Sequence, residues 1–390
     1  MTEKTRPLAQ RMSGIEPFHV MVLLARAKAL EAEGRSIIHM EIGEPDFPTP
    51  RPVCEAGIRA LEKGDMFYTP ALGLPQLRER IARFYATRYG VTVSAERIAI
   101  TSGSSAALLL ALSVLVDPDT QVLVTDPGYP ANRHFVRLLN GEPVNVPVGP
   151  DSRYQMTPEL LEHYWTERSV AALVATPSNP TGTVISPADI GQMSQYAMRR
   201  GGRLIVDEIY HGLVYEGETK TALEVSTDVF VINSFSKYFN MTGWRLGWMV
   251  APAEYVRDLD KLAQNVYLAP PTPAQYAALA AFEPETLAIL DARREEFRAR
   301  RDYLVPALRK LGFEIPQTPQ GAFYIYAGCS RLTHDSFGFA RDLLENAGVA
   351  ITPGIDFGAH RAAEHVRFAY TNSIDRLQEG VARIERFMRS

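Results

Sequence analysis

Cysteine is scarce: Cys54 and Cys329, far apart in the chain, are the only two in 390 residues. Such a pair builds neither a disulfide framework nor a zinc site, and reads as reduced thiols of a cytoplasmic protein. No metal site is expected. Long hydrophobic runs are missing too. The longest, AALLLALSVLV over residues 106–116, is broken by Ser113 and is too short to span a bilayer, so it reads as a buried helix. The opening MTEKTRPLAQRMSG carries charges and no apolar stretch, which is not the pattern of a secretory signal. No sign of charge dominates. Lys and Arg number 41 against 45 Asp and Glu, a net charge of −4, which gives no whole-chain attraction to nucleic acid or anionic membrane. The chain contains no GxxxxGK[ST] and no GxGxxG after its first strand, which excludes a P-loop and argues against a nicotinamide site. Repeats, low-complexity tracts and flexible linkers are also lacking.

What is present is an ordinary globular composition, 46% hydrophobic and 22% charged, with length for two or three domains. Residues 18–33 read as a helix stopped at Gly34, followed by a short strand, SIIHMEIG, and an irregular EPDFPTP. From residue 97 the pattern becomes regular. RIAIT, QVLVTD, VNVPV, AALVAT, RLIVD, VFVINS and RLGWMVA are short Val/Ile/Leu-rich runs, several separated by helical stretches such as residues 187–200. Continuous apolar runs are buried on both faces, as in a mainly parallel sheet covered by helices. The last hundred residues alternate differently: a charged helix ending at Gly312, the strand GAFYIYAG, the helix FARDLLENAG, the strand HVRFAYTN and a closing helix. The expected fold class is α/β, a large domain with a mainly parallel sheet flanked by helices plus a smaller α+β domain built from both chain ends. The expected division is an N-terminal arm and part of the small domain over 1–45, the large domain over 46–284 and the C-terminal small domain over 285–390.

In such a sheet, ligands bind outside the carboxyl ends of the strands. Five strand ends carry polar groups. RIAIT runs into Ser102-Gly103-Ser104-Ser105 at a helix start, where free N–H groups favour an anion. QVLVTD precedes Pro127-Gly128-Tyr129-Pro130, and AALVAT precedes Pro177-Ser178-Asn179-Pro180. RLIV ends in Asp207-Glu208-Ile209-Tyr210, and VFVIN runs through Ser234 and Ser236 to Lys237. Each has a plain explanation by itself: a helix cap, a turn, a structural aspartate, a lysine reaching solvent. Together they offer an anion cradle, a carboxylate and an amine. Pyridoxal phosphate, with its phosphate, protonated ring nitrogen and aldehyde, uses all three.

SFSKYFNMTGWRLG, PSNPTG, VDEIY and PGYP resemble the class I/II aminotransferases of the fold-type-I pyridoxal-phosphate enzymes, over essentially the whole chain. The resemblance implies that Lys237 bonds to the cofactor aldehyde, that Asp207 pairs with the ring nitrogen, and that Asn179 and Tyr210 meet the ring's phenolic oxygen. It implies that Tyr129 stacks on the ring. Ser104 and Ser105 with Gly103, Ser234, Ser236 and Arg245 would hold the phosphate, helped by Tyr68 from a neighbouring subunit of a homodimer. Arg367 and Gly43, with Asn179 also on the substrate, would take the substrate α-carboxylate. The activity implied is ping-pong transfer of an amino group from an L-amino acid to a 2-oxo acid, with 2-oxoglutarate as the expected acceptor, in an aspartate-aminotransferase-like enzyme. A carbon–sulfur β-lyase on the same scaffold and a non-enzymatic regulator are the alternatives. Arg133 is a candidate second cation for a dicarboxylate side chain. The partners expected are small-molecule substrates, with neither nucleic acid nor membrane.

Overall fold

The seven apolar runs pair with one another in a computed structural model that describes residues 8–217 and 219–389. In chain order the strands are β1 (Ile38–His39), β2 (Ile98–Thr101), β3 (Gln121–Asp126), β4 (Glu142–Pro147), β5 (Ser169–Ala175), β6 (Arg203–Asp207), β7 (Val229–Ser234), β8 (Gly247–Val250), β9 (Tyr324–Gly328), β10 (Val349–Ala350), β11 (Thr352–Pro353) and β12 (His365–Ala369). The large sheet has the order β2-β8-β7-β6-β5-β3-β4. Its neighbours run parallel except for β8, which is antiparallel to both β7 and β2.

The strands alternate between two apolar layers. Leu204, Val206, Val229 and Val231 pack into one hydrophobic cluster, whereas Ile205, Phe230 and Ile232 pack into the other. Side chains alternate faces along a strand, so unbroken Val/Ile/Leu runs are what a sheet covered on both sides requires. Each such side chain, fully buried, contributes about 1.5–3 kcal/mol. The apolar run at 106–116 supplies part of the second layer through the helix Ser104–Ser113, in which Leu110, Ala111 and Leu112 are buried.

Both chain ends build the smaller part. β1 pairs parallel with β10, which joins the N-terminal segment to the C-terminal one. A separate antiparallel sheet has the order β11-β12-β9, placing β12 in the centre. The architecture is the expected one, and the differences lie in lengths. The first helix covers His19–Ala32, with Gly34 at φ 88° just beyond its cap. The expected strand SIIHMEIG keeps only two paired residues, because beyond Met40 the chain leaves the sheet edge for the cavity described below. The charged helix is the second half of one 27-residue helix, Pro284–Lys310. Among the described residues, no helix is long and apolar enough to cross a membrane.

Candidate active site

A cavity of about 240 Å³ opens at the carboxyl edge of the large sheet and is closed on its far side by β11, β12 and the segment after β1. Lys237 stands three residues beyond the end of β7. Its Nζ donates to the carbonyl of Gly43 at 2.7 Å. Burial is the main influence on this amine and lowers it from 10.5 to about 8; the nearby Arg367 and Arg245 push the same way against Glu44 and Asp207. Asp207 ends β6 and is 4% exposed. Its Oδ1 accepts the backbone N–H of Ile209 at 3.2 Å. Burial raises its carboxyl from 3.8 to about 7, opposed by the Ile209 hydrogen bond and by Lys237.

Arg367 lies mid-strand in β12 and is 5% exposed, so it is no surface residue of a half-exposed sheet. Its Nη1 donates to Asn179 Oδ1 at 2.9 Å, and its Nη2 donates to the Glu41 carbonyl at 2.6 Å and Thr352 Oγ1 at 3.2 Å. The rings of Tyr324 and Phe357 lie 4.3 and 4.9 Å from its guanidinium carbon. Its Nε is buried without a hydrogen-bond partner.

Of the residues expected to hold a phosphate, Gly103, Ser104, Ser105 and Arg245 meet at the start of the helix Ser104–Ser113. Ser104 and Ser105 line the cavity, and Gly103 caps the helix at φ 81° and ψ 168°. That conformation is essentially glycine's alone. A Cβ there would stand 2.7 Å from Arg245 Nη2, so only a bare backbone lets the guanidinium reach the helix start. Arg245 itself sits at φ 54°, with its Nη1 donating to the Thr242 carbonyl at 3.0 Å.

Ser236, Tyr129, Tyr210 and Gly43 also line the cavity. Gly103 and Ser234 stand behind the wall. The Ser234 hydroxyl accepts the Ser236 N–H at 3.0 Å and so shapes the turn that presents Lys237. Tyr68 is elsewhere, 82% exposed, beside a shallow depression formed with Met66, Phe67 and residues 269–273. Arg133, the candidate second cation, is not in the wall. It lies on the helix Pro130–Leu138 and donates to the Asp356 carbonyl at 2.9 Å. Among the described residues, the lysines and arginines of the wall are Lys237, Arg245 and Arg367.

Several wall residues carry no signal in their own sequence neighbourhood. Phe18, Val20, Ile42 and Phe357 form an apolar stretch of wall. Val20 is held there because Asp356 accepts the N–H groups of His19 and Val20 at 2.6 and 2.8 Å, capping that helix from a distant loop. Tyr324, on β9, touches Tyr210 hydroxyl to hydroxyl at 2.9 Å. The run of aromatics in GAFYIYAG is the one hint the sequence holds of it.

A lysine, a buried carboxyl, a glycine-opened helix start facing an arginine, and a second, buried arginine thus meet around one cleft, the set expected of an enzyme that works through a carbonyl cofactor. The family profile described as "Aminotransferase class I and II" matches residues 35–384, and the chain belongs to that family. It is a transaminase of the aspartate-aminotransferase-like kind. It is 39% identical over 375 residues to a valine–pyruvate aminotransferase of Mycobacterium tuberculosis, covering 95% of this chain and 96% of that one. It is 38% identical over 384 residues to a (5-formylfuran-3-yl)methyl phosphate transaminase of Methanocaldococcus jannaschii, covering 98% and 99%. A crystal structure of an aminotransferase from Mycobacterium tuberculosis superposes with a TM-score of 0.95 at 38% identity, covering 99% of this chain and all of that one.

Enzymes of this class depend on pyridoxal phosphate, and the residues here fit it. Asp207 is a buried carboxyl with no cation at ion-pair distance among the described residues, a place a protonated ring nitrogen would fill. The glycine-opened helix start facing Arg245 suits a phosphate. The amine of Lys237 lies in the same cavity.

Proposed function

We propose that the chain moves the amino group of an L-amino acid to a 2-oxo acid by two ping-pong half-reactions on bound pyridoxal phosphate, with 2-oxoglutarate as the expected acceptor. The observation that carries this reading is the meeting of Lys237, Asp207 and Arg367 in one cavity.

Arg367, in the cavity wall, takes the substrate α-carboxylate, which fixes the direction of the Cα–H bond. When bound, the cofactor supplies an electron sink for the pair left as that bond breaks. Lys237 removes the proton at Nζ and later returns it; with its amine near pH 8 it is partly neutral at working pH, as a general base must be. The Gly43 carbonyl anchors Nζ on the substrate side. Asp207 would hold the proton at the ring nitrogen. Asn179 spends Oδ1 on Arg367, which leaves its Nδ2 to donate to the phenolic oxygen together with Tyr210. Ser104, Ser105, Ser236 and Arg245 would hold the phosphate, with Gly103 and Ser234 shaping their backbone, and Tyr129 would lie against the ring.

The apolar wall of Phe18, Val20, Ile42 and Phe357 favours a donor with an apolar side chain. The relatives described above are named as transaminases, which favours amino transfer over the lyase alternative. The test is a panel of amino donors, apolar and dicarboxylic, against 2-oxoglutarate and pyruvate. The purified protein is expected to show the absorbance of a lysine-bound cofactor, and Lys237→Ala to abolish the spectral shift that follows addition of a donor. Failure of every donor to transfer, or normal turnover by the alanine variant, would refute the reading.

A further inference from the structure

Tyr324 belongs to none of the roles above, yet its phenol touches three of the groups that carry them. Its hydroxyl lies 2.9 Å from that of Tyr210. Its ring centroid is 4.3 Å from the guanidinium carbon of Arg367. A side chain at Gly43, whose carbonyl holds Lys237, would collide with the Tyr324 hydroxyl. We propose that Tyr324 is a positioning residue that fixes the carboxylate-binding arginine with its ring and strengthens Tyr210 as a donor with its hydroxyl; this rests on the function proposed above.

The placement follows from the small sheet. Arg367 on β12 directly opposes Tyr326 on β9, so Tyr324 is its diagonal neighbour, within reach of a long side chain. Tyr326 is committed elsewhere, stacked on His365 with centroids 4.7 Å apart. Tyr324 is 1% exposed and packed edge-on to Phe323, so its ring has little freedom and the guanidinium beside it inherits that rigidity. The hydroxyl pair has one productive sense. If Tyr210 donates to the cofactor's phenolic oxygen, its own oxygen must accept from Tyr324. A donor that itself accepts a hydrogen bond is polarised into a stronger donor.

Two variants separate the two roles. Tyr324→Phe keeps the ring and removes the hydroxyl. Weaker donation to the phenolic oxygen favours the protonated form of the lysine-bound cofactor, so the pH midpoint of its absorbance change should move upward, while the Kd of a non-reacting carboxylate, 3-phenylpropionate, stays within twofold. Tyr324→Leu removes the ring as well, and that Kd should rise roughly tenfold, the scale of a desolvated cation–π contact. A wild-type midpoint in Tyr324→Phe overturns the hydroxyl role, and this measurement stands even if the leucine variant fails to fold. An unchanged Kd in a folded Tyr324→Leu overturns the ring role. A wild-type protein without cofactor absorbance would instead sink the function on which the proposal rests.

Discussion

Asp207→Asn should make the cofactor-free protein more stable while removing its activity. In the protein stripped of cofactor, Asp207 is a buried carboxyl raised from 3.8 to about 7 by burial. The folded state therefore binds that proton more tightly than the unfolded chain. This contribution is fully present below about pH 4, is lost as pH rises through about 7, and is flat beyond. The shift of about three units corresponds to about 4 kcal/mol at 1.36 kcal/mol per unit. Asparagine cannot ionise, so it escapes this loss, but its new N–H₂ is left without an acceptor at a cost of about 1–3 kcal/mol. The net expectation is that Asp207→Asn exceeds wild type by about 1–3 kcal/mol at pH 8 and shows no advantage at pH 5. Urea unfolding of both cofactor-free proteins at the two pH values reads this directly. With cofactor bound, the ring nitrogen loses its anionic partner, and turnover should fall at least about a hundredfold, the scale of a lost electrostatic contact at the reacting group. A variant no more stable than wild type at pH 8, or one equally favoured at pH 5, would refute the reasoning that the carboxyl is held at a cost which the cofactor removes.

Tyr68 and Phe67 are 82% and 77% exposed outside the cavity, the arrangement expected if Tyr68 serves the site of a second subunit. Sedimentation should show a homodimer, and Tyr68→Phe should weaken cofactor retention about tenfold, as for loss of one hydrogen bond to a charged group; full activity from a monomer would contradict this. His39 holds Glu41 at 2.7 Å and Glu31 at 3.1 Å, and its imidazole is raised from 6.5 to about 9, chiefly by the Glu41 hydrogen bond. The stability it adds is present below about pH 6.5 and lost as pH rises through about 9, so His39→Gln should cost about 2 kcal/mol at pH 6 and little at pH 10. An equal loss at both pH values would exclude the charge as its cause.

The large sheet was legible because its inner strands are buried on both faces, and an unbroken run such as VFVI has few other uses. The strand-end residues were legible for the same reason: Asp207 and Lys237 are conspicuous because each follows a strand with an apolar run, residues 204–206 and 229–232. Lengths were less visible. The helix Pro284–Lys310 was read from its charged second half, since PETLAILDA lacks the charge pattern that marks the rest. The wall contributed by the small part was mostly hidden. Phe357 follows the turn Gly354–Asp356, and Thr352 lies in a two-residue strand; neither type at such a place points to a site. They reach the cavity because β11 and β12 pack across it. Arg133 was misjudged because closeness to Tyr129 in sequence says nothing about which side of the helix Pro130–Leu138 faces the cavity.

The polarity of a single strand decides where Arg245 goes. Every parallel strand of the large sheet begins at the edge remote from the cavity, so the residues just before it emerge on the wrong side. β8 runs the other way, with Gly247 registered against Ser234, and the twelve residues between them form a noose closed there and cross-tied by the N–H groups of Phe235 and Met241, which donate to the carbonyls of Leu246 and Phe235. Lys237 and Arg245 are both inside that noose. A parallel strand here would have carried Arg245 across the molecule through a crossover and away from Lys237. The reversal also ties the two charges mechanically. An insertion in an ordinary strand–helix connection can bulge into solvent; in this loop Gly243 has that freedom, with open space around it, whereas an added residue among the buried Phe235, Ser236, Tyr238 and Phe239 would displace the amine between them, so the arm next to Lys237 should tolerate a change in length less than the arm at Gly243.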